Sequence, residues 1–420
     1  MIGLLARQRI VNVPRDLSEI TRIDYSSEVA PSDAGMSAAG VARIWKTVEE
    51  FYRSGLHPAI TLVIRRRGKI VLKRSIGAVS GNLPGDDGPV MPLDPDSPVC
   101  LFSASKAITA LLLHKVVELG KLSLDDRVAD HIPEFAAHGK DRVTVRQLLA
   151  HRAGIPALPI RDPDPALLQH WDALVHMLCL APPDDPQFQK QAYHALTSGF
   201  IVGELIQRAS GMSLRDALKK WIADPLKLRY MTYGLPPEQR KLAPANALTG
   251  PKPFWPLTTY VRRIVGVPFE RAVEASNQEG YLSSVVPAGN IYASADDASR
   301  VFQMLLNGGE LDGVRVLERE TVHEAVKPVG KIQLDAILRV PLRFSAGFML
   351  GERPFGLYGP NCHEAFGHLG FVSVLCWADP SRDISVAFLN TGKSVSPTGV
   401  LRIARVLGAI NRACPTVRPS

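Results

Sequence analysis

The chain predicts an α+β fold: an antiparallel sheet formed by both chain ends and flanked by helices, with an inserted, mainly helical lobe. Three observations predict it. Strand-like runs occur near both ends of the chain. They lie close together in sequence, which favours antiparallel pairing. The middle carries helical spacing of apolar residues instead. On this reading residues 1–35 are an N-terminal arm and 36–420 a single unit. Its α/β region spans 36–100 and 290–420, and its lobe 101–289.

The elements follow in order. The arm reads as irregular. Ser37 is a good N-cap for an amphipathic helix ending near Tyr52. Residues 59–65 and 69–76 alternate like a β-hairpin around Arg65-Arg66-Arg67-Gly68-Lys69, expected to be a solvated tip. Residues 81–98, rich in Gly, Pro and Asp, read as a loop. Helical spacing recurs over 103–119, 143–151, 194–209 and 213–221, while 233–290 shows no regular pattern. A helix over 295–307 precedes strands over 344–350, 371–378 and 384–390, the last two joined by a turn at 380–383. A helix over 397–412 closes the chain.

Composition narrows the function classes. A chain of 420 residues with 46% hydrophobic residues can bury a large core. The net charge of +8 comes from scattered residues, with no zinc-finger or aromatic-basic signature, so no nucleic-acid partner is expected. Five widely spaced cysteines without a CxxC pair support neither a zinc site nor a disulfide scaffold. Cys179 and Cys376 lie in apolar runs and read as core residues. The opening stretch is broken by Arg7 and Arg9 and makes a poor signal peptide. No run approaches the roughly 20 apolar residues of a membrane span. A cytoplasmic location is the expectation, and the oligomeric state is left open.

The chemistry concentrates at Ser103-Ala104-Ser105-Lys106, which opens an apolar helix. Residues three apart share a helix face, so the Ser103 hydroxyl and the Lys106 amine can meet. The helix N-terminus and burial both disfavour a proton on the lysine. A lysine so relieved can act as a base toward serine. Ser103 is the only serine with Lys at the third position after it. Rival chemistries leave weaker traces: no GxSxG elbow and no HExxH are present. Thr391-Gly392-Lys393-Ser394 ends like a phosphate-binding loop but lacks its first glycine, and reads as a loop after a strand.

Ser103-x-x-Lys106, Leu122 to Asp126, Thr144 to Gly154 and Gly289 to Asp297 together resemble the serine β-lactamase-related hydrolases. That group includes class C β-lactamases, DD-peptidases and family VIII carboxylesterases. The resemblance runs from about residue 40 to about residue 410 and implies a β-lactamase/transpeptidase-like fold. It implies that Ser103 is the nucleophile, and that Tyr193, in Tyr193-His194-Ala195, is the general base sharing a proton network with Lys106. Ala195 stands where the family carries Asn, which is compatible with esterases and puts lactamase activity in doubt. His368-Leu369-Gly370 matches the family's Lys-Thr-Gly, giving His368 and Gly370 substrate-side roles. The N–H groups of Ser103 and Phe371 would form the oxyanion hole.

The expected reaction is cleavage of a small-molecule carboxylic ester through an acyl-enzyme, without metal or organic cofactor. The segment 251–269, with Phe254, Trp255, Tyr260 and Phe269, could wall the acyl chain, so Trp255 joins the substrate-binding candidates. A β-lactamase or DD-peptidase, an acyltransferase or amide hydrolase, and a catalytically silent scaffold remain alternatives.

Overall fold

A computed structural model describes residues 10–417 apart from Pro84, Asp87 and Phe254. The start of the opening stretch read above as a poor signal peptide, residues 1–9, therefore lies outside the described residues, as does Phe254. The main sheet contains β1 (Thr21–Ile23), β2 (Ala59–Arg66), β3 (Lys69–Ser80), β4 (Met349–Leu350), β5 (Phe366–Leu369), β6 (Leu375–Asp379) and β7 (Ile384–Asn390). Their spatial order is β1-β3-β2-β7-β6-β5-β4, antiparallel throughout. Met91–Pro92 adds a short strand to the far end of β3. Both chain ends thus meet at the β2–β7 pair, where Val63 faces Ala387.

Both faces of this pair are covered, so its residues are buried from end to end. Ile60, Leu62 and Ile64 of β2 and Ile384, Val386 and Phe388 of β7 turn to one core. There they meet α1 (Ala38–Tyr52), through Val41, Ile44, Trp45, Val48 and Phe51. The opposite face sends Val63, Ala387 and Leu389 into a larger core. That core is shared with α2 (Ser105–Glu118), α3 (Thr197–Ser210) and α4 (Ala295–Leu306). The closing helix α5 (Pro397–Ala413) packs beside α1. Fully burying one such Val, Leu, Ile or Phe contributes about 1.5–3 kcal/mol. α2 is buried on almost every side and runs through the middle of the larger core, a rigid base for the residues at its start.

Several expectations are corrected. The described part of the arm is not irregular throughout: Thr21–Ile23 pairs with the free edge of β3, Thr21 opposite Ile76. An edge strand presents unpaired backbone groups, and any extended segment within reach can satisfy them. The basic hairpin tip is not solvated throughout. Arg65 bonds Ser299 and Asp296 on one face, and Arg66 bonds the carbonyls of Ala34 and Pro415 on the other. Only Arg67, Gly68 and Lys69 are exposed. Residues 344–350 form a tight reversal, with Phe344 bridged to Met349 and Gly347 at φ 120°, and only the last two residues join the sheet. The strand expected over 371–378 begins at Leu375, because Phe371 to Val374 make the turn from β5. The unassigned stretch 233–290 contains helices at Leu257–Val265, Phe269–Ala275 and Glu279–Ser283. Among the described residues no helix is long and apolar enough to cross a membrane. All five cysteines are free and buried.

Candidate active site

Ser103 sits in a short 3₁₀ turn, Phe102–Ala104, immediately before α2, rather than on the helix itself. Lys106, in the first turn of α2, is 8% exposed. Its Nζ lies 3.2 Å from Ser103 Oγ, 2.6 Å from the Ala195 carbonyl and 3.1 Å from the Ala288 carbonyl. Burial holds its pKa well below the usual lysine value. A neutral amine has two N–H donors and one lone pair. The two carbonyls take the donors, and the lone pair is left for the Ser103 O–H. The local stoichiometry therefore fits a general base.

Two distant segments supply those carbonyls, and each is fastened. Ser105 Oγ accepts from the Ile291 N–H at 3.0 Å, and Thr109 Oγ1 donates to the Pro287 carbonyl at 2.7 Å, so α2 grips the stretch carrying Ala288. Gly199 of α3 backs it closely: a Cβ there would meet the Ala288 Cβ at 2.6 Å. The Tyr193-His194-Ala195 segment is held by two histidines. His194 Nδ1–H donates to the Ala192 carbonyl at 2.6 Å, and its Nε2 accepts from the Ile155 N–H at 3.1 Å. His151 Nδ1 accepts from the His194 N–H at 3.2 Å. Both rings are buried and neutral, His194 pushed down to about 3 by burial and His151 well below its usual value.

Tyr193 is buried between His151 and His368, with ring centroids 4.8 Å and 6.2 Å away. Its N–H donates to Asp335 Oδ1 at 3.1 Å. Lys106 Nζ lies 4.9 Å from the centre of its ring. Burial raises the phenol above its usual pKa, and contact with the Ser103 hydroxyl only partly offsets this. Burial thus favours the neutral form of both groups, the lysine amine and the tyrosine phenol. The physical cause is one environment acting on opposite charge types: burial disfavours ammonium and phenolate alike.

His368 lies inside β5, opposite Cys376. It is 1% exposed, and its Nδ1–H donates to the Leu369 carbonyl at 2.8 Å. Its Nε2 is buried without a hydrogen-bond partner among the described residues. Burial and the nearby Lys106 push its pKa down to about 3, so it is a neutral acceptor. Gly370 is where β5 meets the nucleophile turn: a Cβ there would lie 2.4 Å from the Leu101 carbonyl. That close approach brings Phe371 beside Phe102, their rings 5.4 Å apart. Neither the Ser103 nor the Phe371 N–H donates to a backbone carbonyl among the described residues. Both remain available to an oxyanion.

Ser103, Lys106, Tyr193, His368, Gly370 and Phe371 are thus brought together. Trp255 is not: it is 79% exposed, just before the helix Leu257–Val265. Phe269 instead packs on Phe371, with ring centroids 5.4 Å apart, and Tyr260 donates to the Leu338 carbonyl at 2.6 Å. One contributor escaped the sequence reading. Asp335 gave no signal, since it lies 142 residues from the tyrosine it holds.

Comparison with known proteins identifies the family and the fold. The family described as Beta-lactamase matches residues 45–409. The curated protein "Esterase/beta-lactamase LipL" from Mycobacterium tuberculosis is 30% identical over 312 residues, which is 71% of this chain and 70% of that protein. A penicillin-binding protein homolog from Caulobacter crescentus superposes with a TM-score of 0.74 at 28% identity, covering 90% of this chain and 98% of that one. A family VIII carboxylesterase superposes with a TM-score of 0.74 at 24% identity, covering 89% and 98%.

Proposed function

The chain belongs to the Beta-lactamase family of serine hydrolases, and from that premise we propose that it is a carboxylesterase working through an acyl-enzyme on Ser103. The observation that carries the reading is Lys106: a buried amine 3.2 Å from the Ser103 hydroxyl, whose N–H donors are taken by two main-chain carbonyls. Ser103 attacks the ester carbonyl, and its proton passes to Lys106. The N–H groups of Ser103 and Phe371 stabilise the tetrahedral oxyanion. Tyr193 donates its phenolic proton to the departing alcohol and is re-protonated from Lys106. Water then repeats the sequence in reverse and frees the acid.

Preference for an ester over a lactam or peptide amide rests on two departures from the family pattern. Ala195 supplies only its carbonyl where the family offers an Asn amide, and the neutral His368 stands where the family offers a cationic lysine. A substrate amide or carboxylate therefore loses two partners, and unpaired polar groups are strongly selected against in a closed site.

The test compares wild type and Ser103→Ala on p-nitrophenyl butyrate and on nitrocefin. We expect the ester to be turned over well and nitrocefin poorly, with both activities lost in a variant of unchanged thermal stability. Faster turnover of nitrocefin would transfer the chain to the lactamase reading. Residual ester turnover in Ser103→Ala would remove the nucleophile.

A further inference from the structure

Lys393 lies outside the machinery described so far. It follows β7 in the two-residue strand Gly392–Lys393, which pairs in parallel with Ala247–Leu248. It is fully buried. Its Nζ donates to the Phe371 carbonyl at 3.2 Å and to the Asn390 carbonyl at 3.1 Å. The same atom stands 4.5 Å from the centre of the Phe102 ring. Among the described residues no carboxylate pairs with it. A buried cation without a counter-charge is costly, and the contacts it keeps suggest what offsets that cost.

Those contacts converge on the oxyanion hole. Phe102 immediately precedes the donor Ser103, and Phe371 is the other donor. Both turns hold a non-glycine residue in the left-handed region, Phe102 at φ 47° and Val372 at φ 74°. For a β-branched residue this conformation is a real outlier. It persists only where the surroundings hold it, and such strain gathers at active sites.

We propose that Lys393 is a positioning residue of the oxyanion hole, clamping the Phe102 turn to the Phe371–Val372 turn so that their two N–H donors converge. The proposal rests on the acyl-enzyme reading above. One cation holds the two turns through different chemistry: a carbonyl on one side and a ring face on the other. Its removal would let each left-handed residue relax and spread the donors.

Burial pushes Lys393 down to about 7, so its charge changes in the neutral range. The titratable groups facing it do not titrate there: His57 is pushed down to about 3, and the Cys100 thiol up to about 11. Phe102, Phe371 and Asn390 do not titrate at all. A neutral amine still donates, but charge-assisted bonds are roughly twice as strong as neutral ones.

The experiment measures the rate at which a fluorophosphonate labels Ser103 in wild type, Lys393→Met and Lys393→Gln, across neutral pH, with melting temperature recorded for each. We expect Lys393→Met to label about 10- to 100-fold more slowly, less than the loss of an oxyanion donor itself. Its melting temperature should stay level or rise, because a buried charge has gone. Lys393→Gln, which keeps one donor, should recover part of the rate. The ratio of wild-type to Lys393→Met rates should fall as pH rises through about 7. Wild-type labelling in Lys393→Met, a ratio flat with pH, or slowing matched by lost melting temperature in both variants would overturn the proposal. If Ser103 of the wild type does not label at all, the acyl-enzyme reading fails and the clamp with it.

Discussion

Two lysines of the helical lobe are buried against main-chain carbonyls, and their surroundings differ by one atom's chemistry. Lys140 donates to the carbonyls of Ala137 at 2.9 Å, Cys179 at 3.0 Å and Ala181. Lys106 donates to two carbonyls and meets a serine hydroxyl at the third position. Each stands over an aromatic ring, Phe135 for Lys140 and Tyr193 for Lys106. Burial lowers the pKa of both. A depressed lysine is therefore not in itself a mark of function here. Three carbonyls match the three donors of an ammonium and leave no lone pair to use. Two carbonyls and a hydroxyl match an amine and leave one. The same residue type ties loops together in one place and can take a proton in the other.

The sharpest way to break this comparison is to remove each lysine in turn. Lys106→Met should lower kcat on p-nitrophenyl butyrate by about 10²- to 10⁴-fold, the usual range for a lost general base. Lys140→Met should keep the wild-type kcat per folded molecule. Equal losses would show that both lysines act only through the fold.

Tyr193→Phe divides the chemistry further. If Tyr193 holds its proton for the leaving group, ethyl butyrate should suffer by about 100-fold. The p-nitrophenyl ester, whose leaving group needs no proton, should suffer far less. An equal loss on both esters would return the tyrosine to the role of first base.

A smaller effect appears in stability against pH. The folded pKa of Lys140 lies below its unfolded value of 10.5, so the unfolded chain binds more protons over the interval between them. Stability therefore rises with pH across that interval, and the cost of burying the charge is fully present below it. Denaturant unfolding at several pH values should show Lys140→Met with a shallower rise than wild type. A parallel rise would assign the slope to other groups. Smallest of all is Asp335→Asn. It retains an acceptor for the N–H groups of Tyr193, Ile337 and Leu338 and should leave kcat close to wild type. Asp335→Ala, which leaves those donors unpaired, should lower kcat and melting temperature together.

The legible parts of the molecule were those written in short stretches of chain. Ser37 caps α1 as its position suggests. The hairpin of β2 and β3 and the strand β7 fall where alternation put them. Alternation failed where it met a reversal, at 344–350, and where charges at a strand end found buried partners, at Arg65 and Arg66. Neither outcome is encoded in the spacing of the residues concerned. Arg65 is turned inward by Ser299, which lies 234 residues away.

By itself the sequence determined the fold class and the pairing of Ser103 with Lys106. Each depends on spacing within one turn of helix or one strand, and such spacing survives whatever the rest of the chain does. The tertiary structure decided what surrounds that pair. The carbonyls that take the lysine's donors come from residues 89 and 182 positions away, and the carboxylate that holds Tyr193 from 142. The number and kind of acceptors around a buried amine are set only when those segments pack together. That packing also removes the water that would otherwise level the difference between an amine and an ammonium.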